Sequence, residues 1–315
     1  MRIFIAGATG AVGKRLVPLL TKAGHSVTAT TTRRAKVEGL RSMGADAVVA
    51  DLLDKDRITS AVMAARPDVV VHQASGLASM RSLKHFDDEF RTTNRLRTEG
   101  TETLIAAARL AGASRFVAQS YTGWPNERAG GRLKTEADRL DPNPPKNMTK
   151  TLNAIRKLEE MVTSSSDLVG AVLRYGSFYG QGTSLAPGGE LFEAVRRRSL
   201  PIVGKGCGVW SWIHIDDVAH ATKCAIEQDV SGVFNIVDDE PAEVSIWLPY
   251  LAEAIGAKPP FHVPEWIGRI AVGESGVSMM TKIRGSSNAK VKCVLGWKPI
   301  YPSWREGFQG LANAK

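Results

Sequence analysis

Cysteine is scarce in this chain: Cys207, Cys224 and Cys293 stand far apart in 315 residues, and no two of them form a Cys-x-x-Cys pair. An odd and scattered set does not build a disulfide framework or a thiolate metal site. Apolar runs fall short of the roughly 18 residues that a membrane helix needs. The N-terminal residues 1–5 lead into a glycine turn instead of a signal-peptide cleavage region. We therefore expect a soluble, cytoplasmic protein with no metal and no membrane partner.

Negative charge is in deficit, because 41 Lys and Arg face 32 Asp and Glu and leave a net charge of +9. This balance favours an anionic partner such as a nucleotide, a phosphorylated substrate or nucleic acid. The basic residues are scattered, however, and the densest run, residues 196–198, has no interleaved aromatic residues. We interpret that run as a solvated helix end and expect no nucleic-acid partner.

Internal repeats, low-complexity tracts and Pro/Ser linkers are absent. The composition, 43% hydrophobic and 23% charged, is that of a globular protein and excludes disordered, collagenous and coiled-coil classes. The length predicts about two domains or one large α/β unit. We expect the lobes to pack tightly.

The first half alternates short β-branched runs with longer helical patterns, which is typical of β-α-β units. The predicted strands cover residues 2–6, 26–31, 46–50, 68–72, 114–119 and 168–174, and the predicted helices cover 11–23, 35–43, 54–65, 88–111 and 150–166. The pattern predicts a doubly wound (Rossmann) α/β fold with a parallel sheet. Beyond residue 175 we expect a strand at 209–215, a helix at 216–228, a strand at 232–236 and further helices.

These patterns divide the chain into two parts. We expect a dinucleotide-binding domain over residues 1–174 and a smaller, interleaved substrate-binding lobe over residues 175–315, with some segments returning to the first domain. Residues 123–147 are rich in Pro and Gly and too polar for a buried element. We interpret this stretch as a flap over a site.

The strongest motif is a glycine turn between the first strand and the first helix. It has the form Gly-x-x-Gly-x-x-Gly, and its candidate cofactor contacts are Gly7, Thr9, Gly10, Ala11, Val12 and Gly13. Small residues let the backbone approach a pyrophosphate, whose charge is met by free amides and by the positive end of the helix. The turn therefore predicts nucleotide binding.

The second strand ends without the acidic residue that would bind a ribose 2′-hydroxyl and continues as Thr32, Arg33 and Arg34. A guanidinium here can hold a 2′-phosphate, so we favour NADP as the cofactor, with NAD possible, and Arg33 as its contact. The alternative is that both arginines begin the next helix on a solvated face. Thr32 is a further candidate contact.

Asp51 and Leu52 follow the third strand and are the candidates for contacts to the adenine end. The Asp51 carboxylate is placed to accept a hydrogen bond from the adenine amine. The alternative is an N-cap for the next helix, a role that fits Asp54 better.

At this point the chain resembles the extended short-chain dehydrogenase/reductase superfamily, of the NAD(P)-dependent epimerase/dehydratase type. Besides the glycine turn and Asp51, the resemblance rests on residues 72–75, 93–94, 99–101, 115–120, 173–180, 214–219, 234–236 and 295–299. It implies further cofactor contacts at Gln73, Ala74, Asn94, Tyr175, Gly176, Ser177 and Phe178. The alternatives are an N-cap for Asn94 and a simple turn for residues 176–178.

The resemblance also implies catalysis by a Ser or Thr together with a Tyr and a Lys four residues apart on one helix face. Lys157 is present, but the expected tyrosine is Asn153, which can hydrogen-bond yet cannot titrate. Ser120 or Tyr121 stands at the position of the catalytic hydroxyl. We consider Tyr121 a replacement acid, with an aromatic gate as the alternative. For Lys157 the alternatives are a cofactor-ribose ligand and a solvated lysine.

Candidate substrate contacts are Trp124, Ser184, Trp210 and His214, for each of which packing is the alternative role. His214 and His220 do not have the geometry of a metal pair, and Asp216 is expected to cap the helix after His214.

Our leading hypothesis is an NADP(H)-dependent oxidoreductase that acts by hydride transfer on a small carbonyl, alcohol or sugar-like substrate. An epimerase or dehydratase acting on a nucleotide sugar is a variant of it. The rival is a non-catalytic NADP-binding sensor, which the missing tyrosine motivates. The resemblance is also compatible with a homodimer through the helices near 88–111 and 150–166.

Overall fold

The computed structural model describes residues 1–77 and 84–313 of the chain. Its strands are β1 (Arg2–Ala6), β2 (Ser26–Thr31), β3 (Asp46–Val49), β4 (Val69–His72), β5 (Arg115–Tyr121), β6 (Leu133–Lys134), β7 (Val169–Tyr175), β8 (Ser177–Tyr179), β9 (Ile202–Val203), β10 (Val209–Trp210), β11 (Trp212–His214), β12 (Gly232–Ile236), β13 (Ala242–Glu243), β14 (His262–Val263) and β15 (Gly285–Ser286). Seven of them form one sheet in the order β12-β7-β5-β4-β1-β2-β3.

Every neighbouring pair in this sheet is parallel. All four residues of β4 are buried, as the run Val69–Val71 requires when helices cover both faces. The predicted doubly wound fold is confirmed. The chain leaves β1 toward β2 on one side and returns through β4 on the other, so the carboxyl ends of β1 and β4 border a crevice where ligands bind in such sheets.

The helices are α1 (Gly13–Lys22), α2 (Val37–Ser42), α3 (Lys55–Ala65), α4 (Phe86–Glu89), α5 (Arg91–Arg95), α6 (Thr101–Leu110), α7 (Thr149–Thr163), α8 (Glu190–Arg196), α9 (Ile215–Glu227), α10 (Val244–Ala254), α11 (Glu265–Thr281), α12 (Ala289–Leu295) and α13 (Trp304–Asn313). Within the described residues, no helix combines the length and the hydropathy needed to cross a membrane.

Two predicted elements are divided in the structure. The helix expected at 88–111 is α4, α5, a π-helical segment at Leu96–Gly100 and α6. The wider π turn leaves the Leu96 carbonyl to accept a hydrogen bond from His72 Nε2 at 3.0 Å. The strand expected at 209–215 is β10 and β11, because its halves pair with different partners, β13 and β8.

Three apolar cores hold these elements together. One core packs α1 and α9 on one face of the sheet, and a second packs α3, α6 and α7 on the other. The third lies in the C-terminal half around Trp212, Trp247, Trp304 and Phe308. A smaller cluster, defined by Phe86, Phe90, Trp124, Met148, Leu152, Ile155, Met279 and Ile283, joins the start of α7 to α11; we call it the bridging cluster.

Residues 123–147, the predicted flap, are tied to the C-terminal half. β6 pairs with β15, and the Arg284 side chain donates a hydrogen bond to the Arg128 carbonyl at 2.9 Å. Glu136 accepts a hydrogen bond from the main-chain amide of Asn235 in β12 at 2.7 Å. The stretch therefore links the two halves, whereas its action as a flap stays a prediction.

Candidate active site

The glycine turn follows β1 as expected, and two of its glycines are required by the surrounding backbone. Gly7 has φ +87°, and a Cβ on it would lie 2.5 Å from the Ala74 main chain. A Cβ on Gly13 would lie 2.3 Å from the Ala8 carbonyl oxygen. Neither position accepts a side chain without moving the backbone.

Gly10 differs, because it is exposed and a Cβ there would approach nothing closer than the Gly7 oxygen at 3.4 Å. The fold itself therefore does not require a glycine at this position, and the turn leaves room for a ligand to approach the backbone closely. α1 begins at Gly13, two residues later than predicted, with no acidic residue in its first turn. An open turn before a helix N-terminus without negative charge fits the pyrophosphate of a dinucleotide.

Hydroxyl groups connect the turn to the end of β2. The Gly7 amide donates to Thr30 Oγ1 at 3.3 Å, and the Thr9 and Thr31 hydroxyls lie 3.5 Å apart. Thr32 and Arg33 follow, both exposed. Within the described residues the Arg33 guanidinium makes no hydrogen bond or ion pair, while its main-chain amide donates to Thr31 Oγ1. This guanidinium is free to meet a ligand.

At the end of β3, Asp51 is exposed and its Oδ1 accepts a hydrogen bond from the Leu53 amide at 2.9 Å. The helix cap is Asp54, whose Oδ1 accepts from the Arg57 amide at 3.1 Å. The expectation that Asp54 caps α3 is confirmed. Leu52 is buried, and a Cβ on Gly100 would lie 2.9 Å from its side chain.

The end of β4 is held by His72. Its Nε2 donates to the Leu96 carbonyl at 3.0 Å, and its Nδ1 accepts from the Ala74 amide at 3.2 Å. Burial lowers the pKa of His72 to about 4, so the ring is neutral at physiological pH and both nitrogens have fixed roles. The ring thus positions the backbone that carries Gln73 and Ala74.

The side chains of Gln73 and Tyr175 form a hydrogen bond in the interior of the protein. Gln73 Nε2 donates to the Tyr175 hydroxyl at 2.8 Å, and that hydroxyl is also 2.8 Å from Thr222 Oγ1. Burial raises the pKa of Tyr175 to about 12. The structure therefore leaves only the main chain of Tyr175 for the predicted cofactor contact. Gly176, Ser177 and Phe178 continue from it toward β8.

The buried side of α7, which we call its inner face, carries Thr151, Ile155, Leu158 and Val162. The opposite side, its outer face, carries Asn153, Lys157 and Glu160, all exposed. Asn153 Oδ1 accepts a hydrogen bond from Arg156, and Lys157 makes no hydrogen bond or ion pair within the described residues. The structure therefore does not bring Asn153 and Lys157 together with Tyr121 and Asn94.

The inner face presents Thr151 and Ile155 to these groups instead. Ile155 belongs to the bridging cluster, against which Tyr121 packs. Thr151 Oγ1 accepts a hydrogen bond from Asn94 Nδ2 at 3.0 Å. Two residues four apart on the inner face thus carry neither a phenol nor an amine. Helical periodicity could have revealed this, because residues 153, 156, 157 and 160 are all polar.

Ser120 and Tyr121 separate onto different faces of the sheet, as successive strand residues must. Ser120 is buried and donates to Glu159 Oε1 at 2.7 Å, and Glu159 forms a bidentate pair with Arg174. Ser120 thus donates a hydrogen bond to a buried structural ion pair. The Tyr121 hydroxyl lies 2.9 Å from Ser177 Oγ.

Burial raises the pKa of Tyr121, although the hydrogen bond with Ser177 opposes the shift. A neighbouring lysine ammonium would instead lower the pKa of the phenol. Tyr121 is therefore a weaker acid than an ordinary phenol, while its hydroxyl remains a good hydrogen-bond donor.

Asn94 lies inside α5, and its amide donates to the Phe90 carbonyl at 2.7 Å. The alternative of an N-cap is therefore wrong, since the helical hydrogen bonds begin before it. Its side-chain Oδ1 is buried with no hydrogen-bond partner in the described part of the chain.

The structure brings two of the candidate substrate residues together, since Trp210 packs against the bridging cluster that contains Trp124. Trp124 is buried in the bridging cluster, with its ring edge-on to Phe86 at 5.1 Å. Trp210 is half-buried and donates from Nε1 to the Met279 carbonyl at 3.0 Å. Ser184 is exposed, and its carbonyl accepts from two amides at the start of α8. Packing roles account for both tryptophans.

His214 is the N-cap of α9, and its Nδ1 accepts from the Asp216 amide at 3.3 Å. The expectation that Asp216 caps this helix is wrong, because its carboxylate pairs with Arg15 of α1. Burial lowers the pKa of His214, and its ring lies 3.8 Å from that of Tyr301. Across residues 1–77 and 84–313, no group of three His, Cys, Asp or Glu side chains could hold a metal ion.

Two solved structures resemble the fold. The NAD complex of UDP-glucose 4-epimerase from Thermus thermophilus superposes with a TM-score of 0.76 at 22% identity, over 99% of this chain and 98% of that chain. A human epimerase family protein with NADPH gives a TM-score of 0.77 at 20% identity, over 100% of both chains. At these identities the likeness concerns the fold.

The sequence relatives are more informative. A Streptomyces protein named 3-diazoavenalumate denitrifying reductase is 41% identical over 98% of this chain and 99% of its own length. A ketoreductase of Stigmatella aurantiaca, named for 4-hydroxy-2-methyl-3-oxo-4-farnesyl-3,4-dihydroquinoline-1-oxide, is 28% identical over 82% of this chain and 74% of its own. The model of the NAD dependent epimerase/dehydratase family matches residues 3–237. The chain belongs to the NAD dependent epimerase/dehydratase family and is an NAD(P)-dependent oxidoreductase or epimerase.

Proposed function

We propose that this protein is an NADP(H)-dependent reductase that replaces the diazonium group of an aromatic acid with hydrogen. The observation that carries the proposal is the inner face of α7, where Thr151 and Ile155 supply neither a general acid such as a phenol nor a cation. The activity in the name of the 41% identical relative gives the reaction type.

Bound NADPH would supply a hydride that forms the new ring C–H bond while the C–N bond breaks, N₂ leaves and NADP⁺ remains. This balance contains no proton transfer to substrate oxygen. Carbonyl reduction differs, since the developing alkoxide must receive a proton. A site without the usual tyrosine is therefore matched to the first reaction and poorly matched to the second.

The apolar inner face suits a cationic substrate. If a lysine replaced Ile155, its ammonium group would raise the energy of a nearby diazonium group, because like charges repel strongly where water is scarce. The bridging cluster places Phe86, Phe90 and Trp124 near Ile155, and aromatic faces attract cations. The same side chains would keep water from attacking the diazonium carbon.

Tyr121 would bind substrate rather than protonate it. Its hydroxyl is held by Ser177 at 2.9 Å, and its raised pKa keeps the phenol protonated and able to donate a hydrogen bond. Preference for NADP would come from Arg33, whose guanidinium meets no other group among the described residues.

A second candidate function is carbonyl reduction with Tyr121 as the acid. It is favoured by the ketoreductase named among the relatives and by the place of Tyr121 at the end of β5.

Isotope labelling separates the two candidates. The purified protein would be given 3-diazoavenalumate and NADPH deuterated at C4, and in parallel unlabelled NADPH in D₂O. We expect N₂ release and deuterium on the product ring from labelled NADPH, with none from D₂O. Ring deuterium taken from D₂O, or NADPH oxidation with ketones alone, would contradict the proposal.

A further inference from the structure

A chain of hydrogen bonds replaces the usual tyrosine at the start of α7. Asp87, on α4, accepts from the Lys150 amide at 3.0 Å and from the Thr151 amide at 2.8 Å. It also accepts from the Thr151 hydroxyl at 2.6 Å. A carboxylate held by two main-chain amides is an acceptor only, so the proton of the Thr151 hydroxyl points to Asp87.

This direction determines how the Asn94 amide is turned. Thr151 has one hydroxyl proton. Since this proton is used in the hydrogen bond to Asp87, the Thr151 oxygen can only accept a hydrogen bond from Asn94. The contact of 3.0 Å therefore uses Asn94 Nδ2 as the donor. Asn94 Oδ1 faces the other way, buried and without a partner in the described residues. A buried acceptor without a donor is costly unless a ligand completes it.

We propose that Asp87 and Thr151 orient Asn94 so that its Oδ1 accepts a hydrogen bond from a hydroxyl group of the nicotinamide ribose. In the family pattern a lysine on the inner face holds this ribose, and Ile155 has no polar atom to do so. Asn94 supplies the missing hydrogen bond, with Asp87 and Thr151 as positioning residues. The inference rests on the cofactor site of the proposed function and not on the diazonium substrate.

Matched variants at residue 151 test the chain. Thr151→Val keeps the shape but removes the hydroxyl, and Thr151→Ser keeps the hydroxyl as the control. Asn94→Leu removes the acceptor itself. Tryptophan quenching would give Kd values for NADPH and for adenosine 2′,5′-bisphosphate, which lacks the nicotinamide ribose. Thermal unfolding of each variant would check that it is folded.

We expect Thr151→Val and Asn94→Leu to weaken NADPH binding about three- to tenfold, the loss of one oriented hydrogen bond. Thr151→Ser should bind like the wild type, and all four proteins should bind adenosine 2′,5′-bisphosphate equally. An unchanged NADPH Kd in folded Thr151→Val overturns the inference. So does equal weakening for both nucleotides, or a Thr151→Ser protein as weak as Thr151→Val.

The binding test of Asn94 does not depend on the reaction proposed for the protein. If NADPH binds but 3-diazoavenalumate is not reduced, the proposed substrate fails while the comparison of Kd values still decides the role of Asn94. If the wild type binds neither nucleotide, the inference and the proposed function fall together.

Discussion

The glycine turn and helix α7 differ in how strongly the fold fixes the types of their residues. In the turn, Gly7 and Gly13 have no room for a side chain, so backbone geometry dictates the residue type. On the inner face of α7, Thr151 and Ile155 are fully buried, so packing limits the size of these side chains, but no strained backbone conformation dictates their type. Binding chemistry supplied by the main chain is therefore constrained by the fold, whereas acid–base chemistry supplied by side chains can be lost without harm to it.

Glu159 lies on the buried side of α7 and forms an ion pair with Arg174 of β7. Glu159→Gln removes the negative partner of Arg174 and leaves Arg97 buried nearby with no compensating charge. Because both side chains of the pair are at least nine-tenths buried, we expect a loss of about 3–5 kcal/mol in the free energy of unfolding.

Urea unfolding measures this loss, and Glu160→Gln on the exposed outer face is the matched control, with a change below about 0.5 kcal/mol. Equal effects for the two variants would show that the Glu159 pair does not stabilise α7 against the sheet.

Arg33, just after the end of β2, tests the cofactor-binding side of this difference. Arg33→Ala should weaken NADPH binding about ten- to a hundredfold, the usual range for a charge-assisted hydrogen bond. NADH, which lacks the 2′-phosphate, should bind as before.

Fluorescence titration with each nucleotide provides the measurement. Arg41→Ala, a change at an exposed arginine of α2 that pairs with Glu38, is the control and should leave both Kd values unaltered. If Arg33→Ala weakens NADPH and NADH alike, the guanidinium does not select the 2′-phosphate.

The third prediction concerns pH and the end of β4. The pKa of His72 is about 4 in the folded protein against 6.5 for an ordinary histidine. The unfolded chain therefore takes up a proton first, so stability is complete above about pH 6.5 and is lost as the pH falls toward 4. By pH 5 this histidine should account for a loss of about 2 kcal/mol.

Urea unfolding at pH 7 and pH 5 would measure the loss in the wild type and in His72→Gln. The glutamine amide can still donate to the Leu96 carbonyl, but it does not titrate, so the variant should lose about 2 kcal/mol less over this range. Identical pH dependence in both proteins would contradict the buried neutral ring.

The main sheet and the glycine turn can be predicted from the sequence, whereas the orientation of α7 is harder to predict. The strands of the main sheet were predictable because residues buried on two faces must be apolar and β-branched, as in Val69–Val71. The glycine turn was predictable because steric exclusion leaves little choice of residue. The type and spacing of Lys157 do not by themselves identify the inner face of α7, whereas the polar residues 153, 156, 157 and 160 mark the outer face. The cap at His214 depends on Asp216 pairing with Arg15, a contact between residues 201 positions apart.

The exposed outer face of α7 should contribute little to cofactor binding or to stability. Lys157→Ala and Asn153→Ala change the outer face of α7, so each should alter the NADPH Kd by less than about twofold and the unfolding free energy by less than about 0.5 kcal/mol. A tenfold loss of NADPH affinity in Lys157→Ala would mean that this lysine reaches the cofactor after all. The catalytic helix would then have kept its amine, and the contrast with the glycine turn would reduce to the missing tyrosine.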